Sequence, residues 1–385
     1  MTNIKEKSPK KIMLALSAYY FIYAAGTAAH QSLIPLLLED AHLTDFQTGI
    51  AMSMLPIFTI IALLFWGNVS DKAKYKNNIL IFLTAVSGIL GFMFLFKLNF
   101  IGYVIVISIF VFFYASVFPL IDAFILESGN KFGFKFNPVR MCATIGYAIM
   151  VLLNGLLGLK TIFLVACFIY FISLIPFLYV PKIEGHRKAG QKFDILSVIL
   201  KKPVIMLYLT IFTVNITYGF HSSFFPKYFI NEIGDNFQLS LVIFMTPILE
   251  IVFFAFADKI AKVVDIRVAV FVSSLIMALR WLFYSVSQNF YVLFFFALTQ
   301  GIAMLTPYYY TMRYTSQITP PQGNATIQTV NFIIFAGISR ALGSVGGGFI
   351  VNFMSVREVY MLCGVMCLTI GLVFICSRTK FDKLI

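Results

Sequence analysis

Along this chain, apolar runs of about twenty residues alternate with short polar breaks, the length at which a helix crosses a hydrocarbon core of about 30 Å. Membrane strands would be shorter and would alternate apolar with polar at every second position, a pattern that is absent. The runs predict twelve helices over 12–38, 46–67, 78–96, 100–127, 139–158, 160–180, 203–229, 239–257, 267–287, 290–314, 326–352 and 357–377. Several exceed the minimum, which implies tilt or ends that project from the bilayer. The longest polar interruption, "PKIEGHRKAGQKFDILSVILKK" from Pro181 to Lys202, separates six helices from six. The expected organisation is an all-α membrane protein: an N-terminal six-helix bundle over 1–180, a linker over 181–202 and a C-terminal six-helix bundle over 203–385. Low hydrophobicity around Gly185 to Lys192 suggests a flexible stretch, and "FDILSVIL" suits a short interfacial helix.

The halves carry matching landmarks. "HQSLIP" from His30 returns as "HSSFFP" from His221, each nineteen positions past a Lys pair, Lys10-Lys11 and Lys201-Lys202, so both features repeat at an offset of 191. "DK" recurs as Asp71-Lys72 after helix two and Asp258-Lys259 after helix eight, an offset of 187. An internal duplication is implied, and because six is even both copies enter the membrane from the same side, as parallel repeats.

Composition agrees with a membrane chain: 60% of residues are hydrophobic and 12% charged. The first apolar run is too long for a removable signal peptide and lacks a small-residue cleavage site, so it is expected to remain as helix one. The net charge of +13 would fit a nucleic-acid binder if it formed a patch, but its distribution reports topology instead. Of 29 Lys and Arg, four (Lys97, Lys160, Lys227, Arg357) fall on one side and three (Arg140, Arg280, Arg340) inside helices, leaving 22 on the other side. By the positive-inside rule both termini are expected in the cytoplasm of a multi-pass protein of the cell membrane. Five cysteines all lie in apolar segments and act there as small hydrophobes; Cys363 and Cys367 share a face, yet no His or further Cys joins them, so no metal is expected.

The candidate chemistry lies in the charges inside helices. Asp122, Arg140, Glu250, Arg280 and Arg340 fall within predicted spans, where each charge costs several kcal/mol unless it is paired or faces water. They are expected to point inward, either as a working site or as structural ion pairs. His30 and His221 sit in the outer halves of helices one and seven, as ligands or as packed side chains. Tyr218, Asn215, Tyr114, Tyr308, Gln328 and Asn331 are available for further polar contacts. "GSVGGG", Gly343 to Gly348, spaces small residues for close helix contact; no Lys-Ser/Thr follows it as a phosphate loop requires.

Three stretches resemble the major facilitator superfamily. "GNVSDKAKYK", from Gly67, is similar to that family's motif between helices two and three, a Gly, an Asp four residues on and a basic cluster. Lys74 stands where the family has its second Gly, and the counterpart "FAFADKIAK" lacks the first. "PLIDAFILES" and "VRMCATIGYA", with Asp122 and Arg140, resemble the lactose-permease, phenylpropionate-permease and nucleoside-symporter branches, as "ALRW" with Arg280 and Glu250 before the DK turn resemble the phenylpropionate-permease branch. The resemblance covers nearly the whole chain and implies two bundles rocking around a central site. It assigns Asp122, Arg140, His30, His221 and Tyr218 to the substrate, Glu250, Arg280 and Arg340 to proton coupling, and Gly67, Asp71, Lys72 and Asp258 to a conformational latch.

Departures matter too. Where lactose permease carries a His and a Glu for proton coupling in helix ten, this chain has Gln300 and Ala303, which speaks against lactose as cargo. The expected function is proton-coupled uptake of a small organic solute, an anion because three intramembrane Arg face two clear acids. The competing transport reading is an efflux antiporter, against which helix five lacks the Pro of the drug-antiporter pattern. A membrane sensor or intramembrane enzyme is the remaining class; no H-E-x-x-H or G-x-S-x-G occurs, and the tails are about ten residues. The expectation is therefore no enzyme, no cofactor and no nucleic-acid partner, with lipid, proton and solute as partners and one chain sufficient.

Overall fold

The computed structural model describes residues 8–184, 196–320, 323–377, 379 and 381, and all its regular structure there is helical. Twelve long helices are present: α1 Pro9–Asp40, α2 Asp45–Lys72, α3 Lys76–Leu95, α4 Phe100–Phe132, α5 Phe136–Asn154, α6 Leu159–Phe177, α7 Lys202–Glu232, α8 Asn236–Val263, α9 Ile266–Val286, α10 Phe290–Ile318, α11 Thr326–Ile350 and α12 Val356–Cys376. The expected number and order hold, but α7, α8 and α10 run several residues beyond their apolar stretches. Polar caps account for part of this. Asp235 and Ser355 open α8 and α12 with capping boxes to Gln238 and Glu358, and Asn99 and Asn289 accept from the first turns of α4 and α10. At the other end of α4, Gly133 takes φ +81°, the left-handed closing residue that a side chain would strain. In the linker a single helical turn spans Leu196–Ile199; Gly185 to Asp194 lie outside the described residues.

By packing, the chain falls into two compact units: unit 1 is Met1–Ala41 with Phe58–Lys188, and unit 2 is His42–Ile57 with Ala189–Ile385. The described residues 58–184 thus fall in unit 1 and those from 196 onward in unit 2. The segment 42–57, expected with the N-terminal bundle, instead packs with unit 2, where Lys227 of α7 holds Asp45 at 2.7 Å and Phe46 meets Phe349 edge-on.

The serine and the proline of the duplicated motif have the same structural duties in each unit. Its serine ties the first helix of the half to the fifth: Asn154 Nδ2 donates to Ser32 Oγ at 3.1 Å, and Ser223 Oγ donates to Ser344 Oγ at 2.8 Å. Its proline, Pro35 or Pro226, lies inside the helix and removes one ladder donor. Backbones touch at the same crossings, since a Cβ on Gly146 would collide with the Phe21 carbonyl and one on Gly343 with that of Ile216.

The fourth helix of each unit is interrupted, α4 at Ala115–Ser116 and α10 at Leu298–Thr299. A break at membrane depth leaves carbonyls without helical donors, and these must be satisfied within the protein. The Tyr23 hydroxyl donates to the Tyr114 carbonyl at 3.0 Å, and the Phe296 carbonyl accepts from the Thr299 backbone N–H at 3.1 Å and from its Oγ1 at 2.7 Å.

Candidate functional site

In unit 1 the break in α4 precedes Asp122, and α5 carries Arg140. Arg140 Nε stands 3.6 Å from Asp122 Oδ1, and the same oxygen accepts from the Tyr20 hydroxyl of α1 at 2.6 Å. The guanidinium lies over the Tyr20 ring at 5.3 Å and the Phe118 ring at 5.9 Å, so one tyrosine both binds the acid and stacks on the base. The pair stays partly open, with the Arg140 side chain 43% exposed and that of Asp122 30%. A guanidinium that keeps open N–H donors beside a carboxylate can exchange that partner for another anion.

His30 is elsewhere. It is fully enclosed by Phe94, Phe110, Phe163 and Tyr170, with Nδ1 3.3 Å from the Gly26 carbonyl, and the structure does not bring it to Asp122. Here the histidine of the repeat is a packed side chain.

In unit 2 the polar centre is Arg340 of α11, reached through one turn of π-helix at Ile333–Ile338 that shifts the register of the helix before it. Its Nε donates to Asn215 Oδ1 of α7 at 3.3 Å, and its guanidinium lies over the rings of Tyr218 at 4.7 Å and Phe335 at 5.0 Å. The Glu250 carboxyl of α8 interacts electrostatically with it. Gly301, just past the break in α10, allows this: a Cβ there would stand 3.0 Å from the Glu250 backbone nitrogen and 3.2 Å from its Cα and Cγ. Beside it Gln300 Nε2 donates to the Tyr218 hydroxyl at 3.3 Å. Glu250, Arg340 and Tyr218 are half-buried, while Asn215 and Gln300 are buried.

From Tyr218 the network continues inward. Its ring lies 5.8 Å from that of His221, whose Nε2 accepts from Arg280 Nη2 at 3.3 Å and whose Nδ1 lies 2.9 Å from the Tyr360 hydroxyl. Arg280 is 1% exposed and stacks on Trp281 at 4.8 Å and Tyr284 at 5.3 Å. Because Nε2 must accept from a guanidinium, the ring's proton is on Nδ1 and donates to Tyr360, which holds His221 as a neutral spacer. The two motif histidines thus differ: His221 has an arginine neighbour from α9, and His30 has none.

A second buried network links α7, α10 and α11. Asn331 Oδ1 accepts from the Tyr208 hydroxyl at 2.8 Å, while its Nδ2 donates to Thr315 Oγ1 at 2.9 Å and to Gln328 Oε1 at 3.0 Å. Of the other expected polar contributors, Tyr308 stacks on Phe335 at 4.1 Å, beside Arg340, and Tyr114 donates to Gln31 Oε1 at 3.4 Å. Asp71 and Lys72 are exposed, and Gly67 has open space where a Cβ would stand. The Asp258 side chain lies outside what is described. Sequence reasoning missed Tyr20 and Gly301. Neither is charged or part of the repeated motif, so nothing local in the sequence signalled its role.

Comparison with known proteins agrees with this architecture. A model of the MFS_1 like family matches residues 13–362. An uncharacterized transporter of Bacillus subtilis (strain 168), YwbF, is 24% identical over 380 residues, covering 96% of this chain and 94% of that protein. The maltose permease of Geobacillus stearothermophilus is 20% identical over 371 residues, covering 95% and 94%. The crystal structure of the nucleoside transporter NupG superposes with a TM-score of 0.85 at 16% identity, covering 96% of this chain and all of that one, a likeness of fold. With most of its length matched by the family model, this chain belongs to the MFS_1 like family and is a multi-pass membrane transporter of the major facilitator type.

Proposed function

We propose that this transporter takes a small organic anion into the cell across the cytoplasmic membrane by alternating access, driven by a proton, with both termini on the cytoplasmic side. The observation that carries the reading is that Glu250 of α8 and Arg340 of α11, both half-buried, are opposite charges that interact electrostatically beside Tyr218. While Glu250 is ionised it balances Arg340, and the guanidinium has no call for a second anion. When Glu250 takes a proton, Arg340 loses that balance, and a carboxylate on the cargo restores it. Loss of the proton on the other side reverses the exchange and expels the cargo. Tyr218 and Asn215 hold the Arg340 guanidinium through both states, and Asp122 with Arg140 offers a second anion contact in unit 1 on the same principle. Arg280 acts through His221 and Tyr218 as a fixed positive charge behind the site, and both motif histidines serve packing. Gly67, Asp71, Lys72 and Asp258 act as a latch in this reading, in line with the exposure of Asp71 and Lys72.

The test is uptake in proteoliposomes with an imposed pH gradient, using a panel of carboxylates and matched neutral analogues. One pH unit is worth about 1.36 kcal/mol, so a one-proton carrier accumulates its cargo about tenfold per unit. Glu250→Gln keeps size and shape and is expected to exchange cargo without accumulating it. Unchanged proton-driven accumulation in that variant removes Glu250 from coupling; preference for the neutral analogues rejects the anion.

A further inference from the structure

A groove of about 330 Å³ opens on the outer flank of unit 2 where α8, α9 and α10 meet, lined by Phe256 and Ile260, Val268 and Val272, and Ile302 and Tyr310. It opens outward: Phe256 is 51% exposed, Val268 48% and Ile302 45%. Along α8 it runs from Phe256 to Val264, about 12 Å at the helical rise, so it is long and narrow. Of its polar lining residues, Tyr310 donates its hydroxyl to the Val264 carbonyl at 3.2 Å, Ser273 donates to the Val270 carbonyl at 2.8 Å, and Thr306 is buried. The wall therefore takes an apolar chain.

The same corner of unit 1 is filled. Where α2, α3 and α4 meet, the rings of Phe65, Trp66, Phe82, Phe112 and Phe113 pack with centroids 5.0–5.9 Å apart. With Asp71-Lys72 and Asp258-Lys259 in register, Phe82 corresponds to Ala269, which lines the groove. At that position unit 2 has a methyl group where unit 1 has a ring.

The rim of the groove is basic. Lys259 lies with Nζ 5.7 Å from the Phe256 ring, directly over a lining residue, and Lys262, three positions on, shares its helical face. Arg267 follows at the start of α9 and is engaged by Asp265 at 3.3 Å. Residues 258–267 carry three cations against two acids, at the end of the membrane span where α8 gives way to α9.

We propose that this groove seats one acyl chain of an anionic phospholipid whose phosphate is held at the rim by Lys259 and Lys262. The apolar wall suits any chain, and the two lysines supply the selection: near a membrane surface each basic residue is worth about fivefold in affinity for anionic lipid. A lipid bound there wedges between α8, which carries Glu250, and α10, which carries Gly301, so its occupancy bears on how those helices separate.

The full-length protein in detergent is incubated with equimolar phosphatidylglycerol and phosphatidylcholine of identical acyl chains, and retained lipid is read by native mass spectrometry. Wild type is expected to keep one phosphatidylglycerol at about fivefold or greater preference. Lys259→Gln with Lys262→Gln is expected to bring the two lipids to parity, while Lys131→Gln with Lys135→Gln, a basic pair in unit 1, leaves the preference intact. Ala269→Phe, which copies the filled corner of unit 1, is expected to lower retention of both; Val272→Trp does the same should Ala269→Phe not fold. Parity in wild type overturns the proposal. So does a preference that survives loss of Lys259 and Lys262, one abolished equally by the unit 1 pair, or retention unaffected by filling the groove.

Discussion

The Tyr20→Phe substitution isolates one atom of the unit 1 site. The hydroxyl donates to Asp122 Oδ1 at 2.6 Å, in the range of hydrogen bonds to an ionised oxygen, and Arg140 stands farther off at 3.6 Å. Phenylalanine removes that bond but keeps the ring on which Arg140 stacks at 5.3 Å. A hydrogen bond to a charged group contributes about 1.5–3 kcal/mol. Because 30% of the Asp122 side chain is exposed, water replaces part of the loss, and the lower end applies, about 1.5 kcal/mol or roughly tenfold. Because this bond is made without cargo, Tyr20→Phe is expected to cost the cargo-free protein about 1.5 kcal/mol in denaturant unfolding and, since a less firmly held Asp122 releases Arg140 more readily, not to weaken binding of the carboxylate selected by the proteoliposome panel, read from ligand-induced thermal stabilisation. Tyr20→Leu removes the ring as well and is expected to lose about a further 0.5–1 kcal/mol, the worth of an exposed cation–π contact. If Tyr20→Phe unfolds with the wild-type free energy, the hydroxyl does not hold the acid and the reasoning fails.

Other outcomes follow from single contacts. Gly301→Ala puts a methyl 3.0 Å from the Glu250 backbone nitrogen, closer than the 3.5–4.0 Å of a good carbon contact, so α8 must yield by a few tenths of an ångström. A loss of about 1–3 kcal/mol in unfolding is expected, with a lowered accumulation ratio; normal accumulation would show that the seating of Glu250 is not critical. Asn331→Leu deletes two buried hydrogen bonds between helices, each worth about 0.6–1.7 kcal/mol in a membrane, for a total of about 1–3 kcal/mol in denaturant unfolding, and Tyr208→Phe is expected to cost about half as much. In a cysteine-free background, His42→Cys and Asn236→Cys are expected to react with an impermeant thiol reagent on intact cells and Lys74→Cys only after permeabilisation; the reverse pattern overturns the orientation.

The length of an apolar run is a local property, so the amino-acid sequence alone determined twelve helices, their order and the near-midpoint division. It also marked Asp122, Arg140, Glu250 and Arg340, since a charge inside such a run is costly wherever it points. Which face each helix turns inward was not legible, because helices that are apolar nearly all round show no amphipathic stripe to orient them. Hence Tyr20 gave no sign of its part in the site, and the two H-x-S-x-x-P copies looked alike although it is His221 that receives an arginine from α9. The breaks in α4 and α10 do have local signals, Pro119 four residues past Ala115 and Gly301 two past Thr299, but not the group that repairs them: the Tyr114 carbonyl accepts from Tyr23 of another helix. Residues 42–57 followed the same logic: sequence order put them with the N-terminal helices, and the bonds of Asp45 and Phe46 to α7 and α11 put them in unit 2. Partners far apart in the chain decide these features, and only the tertiary structure brings those partners together.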